Sequence, residues 1–131
     1  MTSAKKAFFE AVRSSRIKDE MTLRLARDII FTHHEHWDGT GYPEGLSGEN
    51  IPMAGRIVAV IDVYDALVSK RIYQEPMSHP AALEYISKNR GSHFDPGVVD
   101  AFVEVEEAIH RIKITCEDES ELPIISDYPQ P

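Results

Sequence analysis

Two adjacent histidines, His33 and His34, stand directly before "DGTGYPEGLSGENIP", a stretch holding Gly39, Gly41, Gly45 and Gly48 together with Pro43 and Pro52. Imidazoles change charge near neutral pH and bind metals, so such a pair suits metal ligation or proton traffic. Consecutive residues on a helix point about 100° apart. The pair therefore chelates a single metal less readily than two histidines one turn apart. It could serve two metals, or one metal and a hydrogen bond that orients a ligand. The plainer reading, which residue types alone favour, is a pair of helix-end histidines near the negative end of the helix dipole.

A second candidate is Asp62, flanked by Val60, Ile61, Val63 and Tyr64. In such company the carboxylate is expected to be buried, where it needs a metal, a cation or a helix N-terminus to compensate it. Asp65 lies one turn further along on roughly the same face and could bond to Asp62 from behind. Together, His33, His34 and Asp62 make a hard-to-borderline ligand set. Equally, both carboxylates could face a polar groove and bond to a neighbouring loop.

The loop itself is a third candidate. Glycines allow backbone angles that other residues resist, and prolines fix φ, so this segment can bring main chain close to a ligand. Tyr42 could stack on a base or donate to a phosphate. A helix–helix connector of about 15 residues exceeds the usual length, which favours a functional reading over a mere turn.

These groups need helices to hold them. The chain has 131 residues, enough for one core, with 42% hydrophobic and 27% charged residues. No repeat and no extended strand-like alternation is present, so an all-α bundle of about five helices is expected. A first helix over Ser3–Ser14 puts Phe8, Phe9 and Val12 on its apolar side. A second begins near Asp19, carries Leu23, Ala26 and Ile30, and ends at the histidines. A third opens at Pro52 and runs through "RIVAVIDVYDALV", apolar almost all round, which belongs at the centre of a bundle with Ile57, Val60, Ile61, Tyr64 and Leu67 in the core. Ser78 caps a fourth, "HPAALEYISKNR", stopped by Gly91, and Asp95-Pro96 opens a fifth that runs to about Ile112. The acidic, proline-containing remainder reads as a mobile or loosely docked tail.

The net charge of −8 argues against binding to DNA. It leaves room for an anionic ligand where cations are concentrated locally. The single cysteine, Cys116, fits a reducing, cytoplasmic setting, and no stretch reads as a signal peptide or membrane span.

The ordered series "HHEHWDGTGYPEGLSGENIPMAGRIVAVIDVYDALVSKRIY", with "GSHFDP" at Gly91–Pro96, resembles the HD-GYP family of HD-domain phosphohydrolases over about Leu23 to Ile112. Gly41-Tyr42-Pro43 matches the tripeptide that gives the family its name. The resemblance implies an all-α fold and hydrolysis of cyclic di-GMP at a cluster of divalent metals, often iron or manganese. By motif, His33, His34 and Asp62 resemble metal ligands, with Asp65 supporting them. Gly41, Tyr42, Pro43 and Arg71 resemble contacts to the nucleotide.

The family's His-Asp pair and the lysine that follows it should lie upstream, yet no histidine precedes His33 and no His-Asp dipeptide occurs. Ile72 and Gln74 also depart from the family's usual proline and basic residue. The resemblance therefore reaches the C-terminal half of the domain. It divides the chain into residues 1–20, a helix of unclear origin, 21–114, the HD-GYP-like portion, and 115–131, the acidic tail. Three functions compete: a cyclic di-GMP phosphodiesterase completed from elsewhere and inactive alone, a degenerate nucleotide-sensing or docking module that binds a GGDEF cyclase through the GYP loop, and a structural remnant that dimerises. Helices left without their upstream partners should expose apolar surface, which predicts a two-fold homodimer, with exchange of the N-terminal helices as one form; the alternative is that the first helix folds back and covers the face.

Overall fold

A computed structural model describes residues 3–14 and 19–119. Six α-helices follow in order: α1 (Ser3–Ser14), α2 (Glu20–Thr32), α3 (Met53–Val68), α4 (His79–Lys88), α5 (Pro96–Glu104) and α6 (Glu106–Glu119). A short 3-10 turn at Gly48–Asn50 lies in the α2–α3 connection. The described residues hold no strand, only isolated bridges at Arg71–Gln74 and Arg90–Phe94. The fold is all-α, and none of the described helices is long and apolar enough to cross a membrane.

α3 is the central element, packing on α2, α4 and α5. Val60, Tyr64 and Val68 present one buried stripe at helical spacing to Ala82 and Ile86 of α4 and to Val99 and Phe102 of α5, with Phe94 closing the layer. Each large side chain buried there contributes about 1.5–3 kcal/mol. The opposite stripe departs from expectation. Ile57 and Ile61 are each 45% exposed and line, with Met53, Val98 and Val105, an apolar groove of about 420 Å3. A helix that is apolar all round is central only if every face finds a partner, and among the described residues this face of α3 meets only the edge of α5 and Ile109 of α6.

Two contacts fix how α3 meets its neighbours. Thr32, the last residue of α2, is buried against Gly55, where an added Cβ would collide with the Thr32 side chain. Only glycine permits this approach, and it sets the histidine end of α2 beside the first turn of α3. On the other side, Arg56 Nη1 donates to Asp95 Oδ2 at 2.7 Å and its Nε donates to the Ile51 carbonyl at 2.8 Å. Asp95 Oδ1 meanwhile accepts from Gly97 N at 2.8 Å, the expected N-cap of α5. With these bonds in place the largely buried charges are compensated, as such a pair requires.

Three helix boundaries differ from expectation. α4 stops at Lys88, short of Gly91, because Asn89 caps it and donates from Nδ2 to the Tyr85 carbonyl at 2.9 Å. The fifth helix breaks at Val105 (φ −111°, ψ 17°), whose N–H bonds back to Phe102 and Val103. The break returns Ile109 to the core and brings Glu106 onto His79, which also bonds through Nδ1 to the Tyr64 hydroxyl at 2.8 Å. Apolar periodicity runs through this point unbroken, so the pattern alone does not reveal it. Finally, α6 carries helix to Glu119, into the segment expected to be a tail. The rest of that expected tail, 120–131, lies outside the described residues.

Candidate functional site

α2 ends by capping itself with His33. The His33 N–H and its Nδ1 both donate to the Ile29 carbonyl, at 3.1 and 2.7 Å. Because a carbonyl only accepts, Nδ1 carries the proton, and in the neutral ring Nε2 keeps its lone pair. A backbone bond of this kind orients a metal-binding histidine. The ring of His34 lies 4.0 Å from that of His33, centroid to centroid. Burial lowers the proton affinity of His34 most, the His33 and Lys5 charges lower it further, and Asp62 works against them.

Glu35, the residue after the histidines, is 2% exposed. Its two carboxylate oxygens accept from Gly45 N at 2.9 Å and Leu46 N at 2.7 Å. The glycine loop is thus pulled back onto the end of α2. Gly41 then lies so close that an added Cβ would fall within 3 Å of the main chain of residues 34–36. Tyr42 N bonds to the His34 carbonyl at 3.2 Å, and the Tyr42 ring stacks on His34 at 5.0 Å and 19°. The Tyr42–Pro43 peptide is cis, and Tyr42 remains 60% exposed, open to a ligand.

The "GSHFDP" motif is stitched to the same loop. Trp37 N donates to the His93 carbonyl at 3.0 Å and Asp38 N to the Ser92 carbonyl at 2.9 Å. His93 lies between Phe94 and His36, with ring centroids at 4.1 and 3.9 Å. Burial, then the nearby His36, pulls its pKa down to about 4. The Arg56 guanidinium sits 5.9 Å from the Trp37 ring, tying the Arg56–Asp95 pair into this seam.

The structure thus brings His33, His34, Gly41, Tyr42 and Pro43 together, with Asp62 near enough to act on His34. Asp62 is exposed, contrary to the expected burial. Its Cβ leaves α3 on the side away from the Val60–Tyr64 stripe. It needs no compensating partner, and shares with Asp65, Lys70 and Lys113 an open cleft of about 550 Å3. Asp65 accepts from Ser69 Oγ at 3.3 Å. Arg71 stands exposed on the turn after α3, and no hydrogen bond, ion pair or ring contact among the described residues joins its side chain to the histidines or to Tyr42. Nor do the described residues gather three or more His, Cys, Asp or Glu side chains into a metal-holding group. By themselves they do not fit a metal cluster.

An HD-domain family profile matches residues 11–98, well over half the chain. The chain belongs to the HD-domain family, and its loop is of the HD-GYP type. Among curated relatives, it is similar to a probable cyclic di-GMP phosphodiesterase of Vibrio cholerae, 48% identical over 78% of this chain and 24% of the relative. A cyclic di-GMP phosphodiesterase of Thermotoga maritima is 43% identical over 74% of this chain and 26% of the relative. The crystal structure of a V. cholerae cyclic GMP-AMP specific phosphodiesterase superposes with a TM-score of 0.56 at 28% identity, covering 79% of this chain and 21% of that one. The chain spans about a quarter of the length of these relatives. The family is one of divalent-metal phosphohydrolases.

Glu35, Arg56 and His93 were not among the residues singled out from sequence. Glu35 had a signal: an acidic residue wedged between histidines just before a glycine loop has free loop amides within reach. Arg56 and His93 stand within the motifs of the family resemblance, but their pairings were not readable because the partners lie far along the chain. Two outcomes follow. Replacing Glu35 by alanine removes two charge-assisted bonds and should cost about 3 kcal/mol. Hydrogen exchange would show it first, as lost protection at the Gly45 and Leu46 amides with α4 and α5 unchanged. For His93, the unfolded state binds more protons than the folded state between pH 6.5 and about 4. Its contribution to stability is therefore complete above that window and falls as pH drops through it. Thermal melts from pH 7 to pH 4.5 should decline less steeply in His93→Asn than in the parent.

Proposed function

We propose that this chain is a nucleotide-facing portion of a cyclic di-GMP phosphodiesterase of bacterial signalling, able to bind a cyclic dinucleotide but not to hydrolyse it alone. The observation that carries this is the Glu35-anchored loop, which holds an exposed Tyr42 ring stacked on His34. That is a ready platform for a purine base beside groups that meet phosphate. Relatives named as cyclic di-GMP phosphodiesterases support the substrate class. Gly41, Tyr42, Pro43 and Arg71 face the nucleotide in this reading. His33 through Nε2, His34 and Asp62, with Asp65 behind it, contribute to a divalent metal centre, iron or manganese, completed by ligands from outside the described residues.

A site with this ligand set lacks the clustered metals that polarise phosphate. Calorimetry should therefore detect cyclic di-GMP binding that Tyr42→Ala weakens. Manganese or iron should give no turnover above background. Robust metal-dependent hydrolysis, abolished by Asp62→Ala, would overturn the reading.

The setting is cytoplasmic in this proposal, where the nucleotide and a GGDEF cyclase partner would meet the exposed Tyr42–Gly45 tip. The chain also pairs with itself through the groove of Met53, Ile57, Ile61 and Val105. Leaving several hundred Å2 of such surface wet forfeits on the order of 10 kcal/mol. Phe9 already folds back on Phe31 of its own α2 (ring centroids 5.6 Å apart), which supports a dimer without helix exchange. Sedimentation at micromolar concentration should show a dimer that Ile57→Asp and Ile61→Asp dissolve. A clean parental monomer would sink it.

A further inference from the structure

α1 has no place in the function so far, and its first turns lie outside the family-matched residues 11–98. Its packing nevertheless points it at the site. Lys5, Phe9 and Val12 are the less exposed positions of α1, and they share one face at helical spacing. Arg13 and Phe9 line a groove with Glu20, Leu23, Arg24, Arg27 and Asp28 of α2, and the Phe9 ring meets Phe31 edge-on. The two helices are therefore antiparallel: Phe9 reaches Phe31 near the end of α2, while Arg13, one turn later in α1, lines the groove whose α2 residues run from Glu20 to Asp28. One further turn of α1 brings Lys5 alongside the residues one turn beyond Phe31, which is His34. Phe8 points the other way and is 61% exposed, although sequence reasoning had placed it on the apolar side.

The place where this cation arrives needs one. Asp62 and Asp38 bring negative charge to the neighbourhood of His34 and His93. The chain as a whole is at −8. A phosphodiester coming to Tyr42 meets no neutralising charge from the loop itself, which carries Asp38, Glu44 and Glu49 and no lysine or arginine.

We infer that Lys5, presented by the inward face of α1, is a phosphate-binding residue of the site formed by His34 and Tyr42. The inference rests on the nucleotide-binding reading above and names the group that meets the anion. An ammonium on a four-carbon stem is suited to this, since it can follow a phosphate as a mobile point charge.

Calorimetry on the whole chain with two probes, cyclic di-GMP and inorganic pyrophosphate, tests it. Lys5→Met keeps the length of the stem and removes the charge. It should weaken cyclic di-GMP binding about tenfold, the loss of one charge-assisted contact, and weaken the salt dependence of binding. Lys5→Arg should restore most of the affinity. Lys6→Met, one residue along on the exposed side of α1, should stay within about twofold of the parent, so bulk charge is not the cause. Melting curves identify a misfolded variant, in which case Lys5→Gln takes its place. Parental affinity in Lys5→Met, or equal losses in Lys5→Met and Lys6→Met, would overturn the inference. A parent that binds pyrophosphate in a Lys5-dependent way but not cyclic di-GMP would refute the nucleotide reading and leave Lys5 standing. A parent that binds neither probe would refute both.

Discussion

A buried carboxylate bonded to two main-chain amides is the constraint on which this site turns. Glu35 could not sit at 2% exposure without partners, because an unpaired charge there would cost several kcal/mol. The Gly45 and Leu46 amides satisfy it, and the loop that supplies them loses its freedom in return. Everything nearby follows from that closure. Gly41 is pressed onto residues 34–36, where no side chain would fit, and Tyr42 has one direction left, across the His34 ring. Four glycines look like a licence for flexibility. Here Gly39, Gly45 and Gly48 turn the chain through positive φ, Gly41 serves close approach, and the acidic residue beside them holds the loop in place.

The same logic extends outward in layers. The α2–α3 crossing at Thr32 and Gly55 fixes where the histidines leave the bundle. The Arg56–Asp95 pair fixes where α5 begins, and hence where the segment before it runs. That segment delivers the Ser92 and His93 carbonyls to the Asp38 and Trp37 amides. Two stretches more than fifty residues apart in sequence thus share main-chain hydrogen bonds, so the histidine end of α2 is held from both sides. An aromatic platform held this way needs little reordering when a ligand arrives, which lowers the entropic cost of binding.

Much of this was legible in the sequence, for reasons that also explain what was not. Helices α2, α4 and α5 announce themselves through caps, since Asp19, Ser78 and Asp95 all accept bonds from the first turns they precede, while α3 opens after Pro52 without a side-chain cap. The all-α class and the family followed from ordered motifs. Burial around α3 was misread because apolar neighbours say nothing about direction: Val60 and Ile61 are adjacent, yet one is 1% and the other 45% exposed. Asp62 shares the outward side with Ile61. The break at Val105 was invisible because the contact that goes with it, Glu106 on His79, joins residues far apart in the chain. Pairwise chemistry of this sort leaves no periodicity to read.

The exposure of Asp62 changes what kind of group it is. A carboxylate buried among apolar residues must be bought off by a fixed partner and is then committed to it. An exposed one keeps its charge in water and can bind whatever cation comes into reach, at the modest strength of a surface interaction. Asp62 stands at the mouth of an open cleft with Asp65, on a helix whose other outward residues, Met53, Ile57 and Ile61, are apolar. The outer face of α3 thus combines a greasy strip with a free carboxylate. A surface that covers the strip would also desolvate Asp62 and raise the value of any cation or metal it brought along. Ile61 and Asp62 are neighbours on α3, so a partner on the strip and a cation at the carboxylate would act at adjacent positions of one helix.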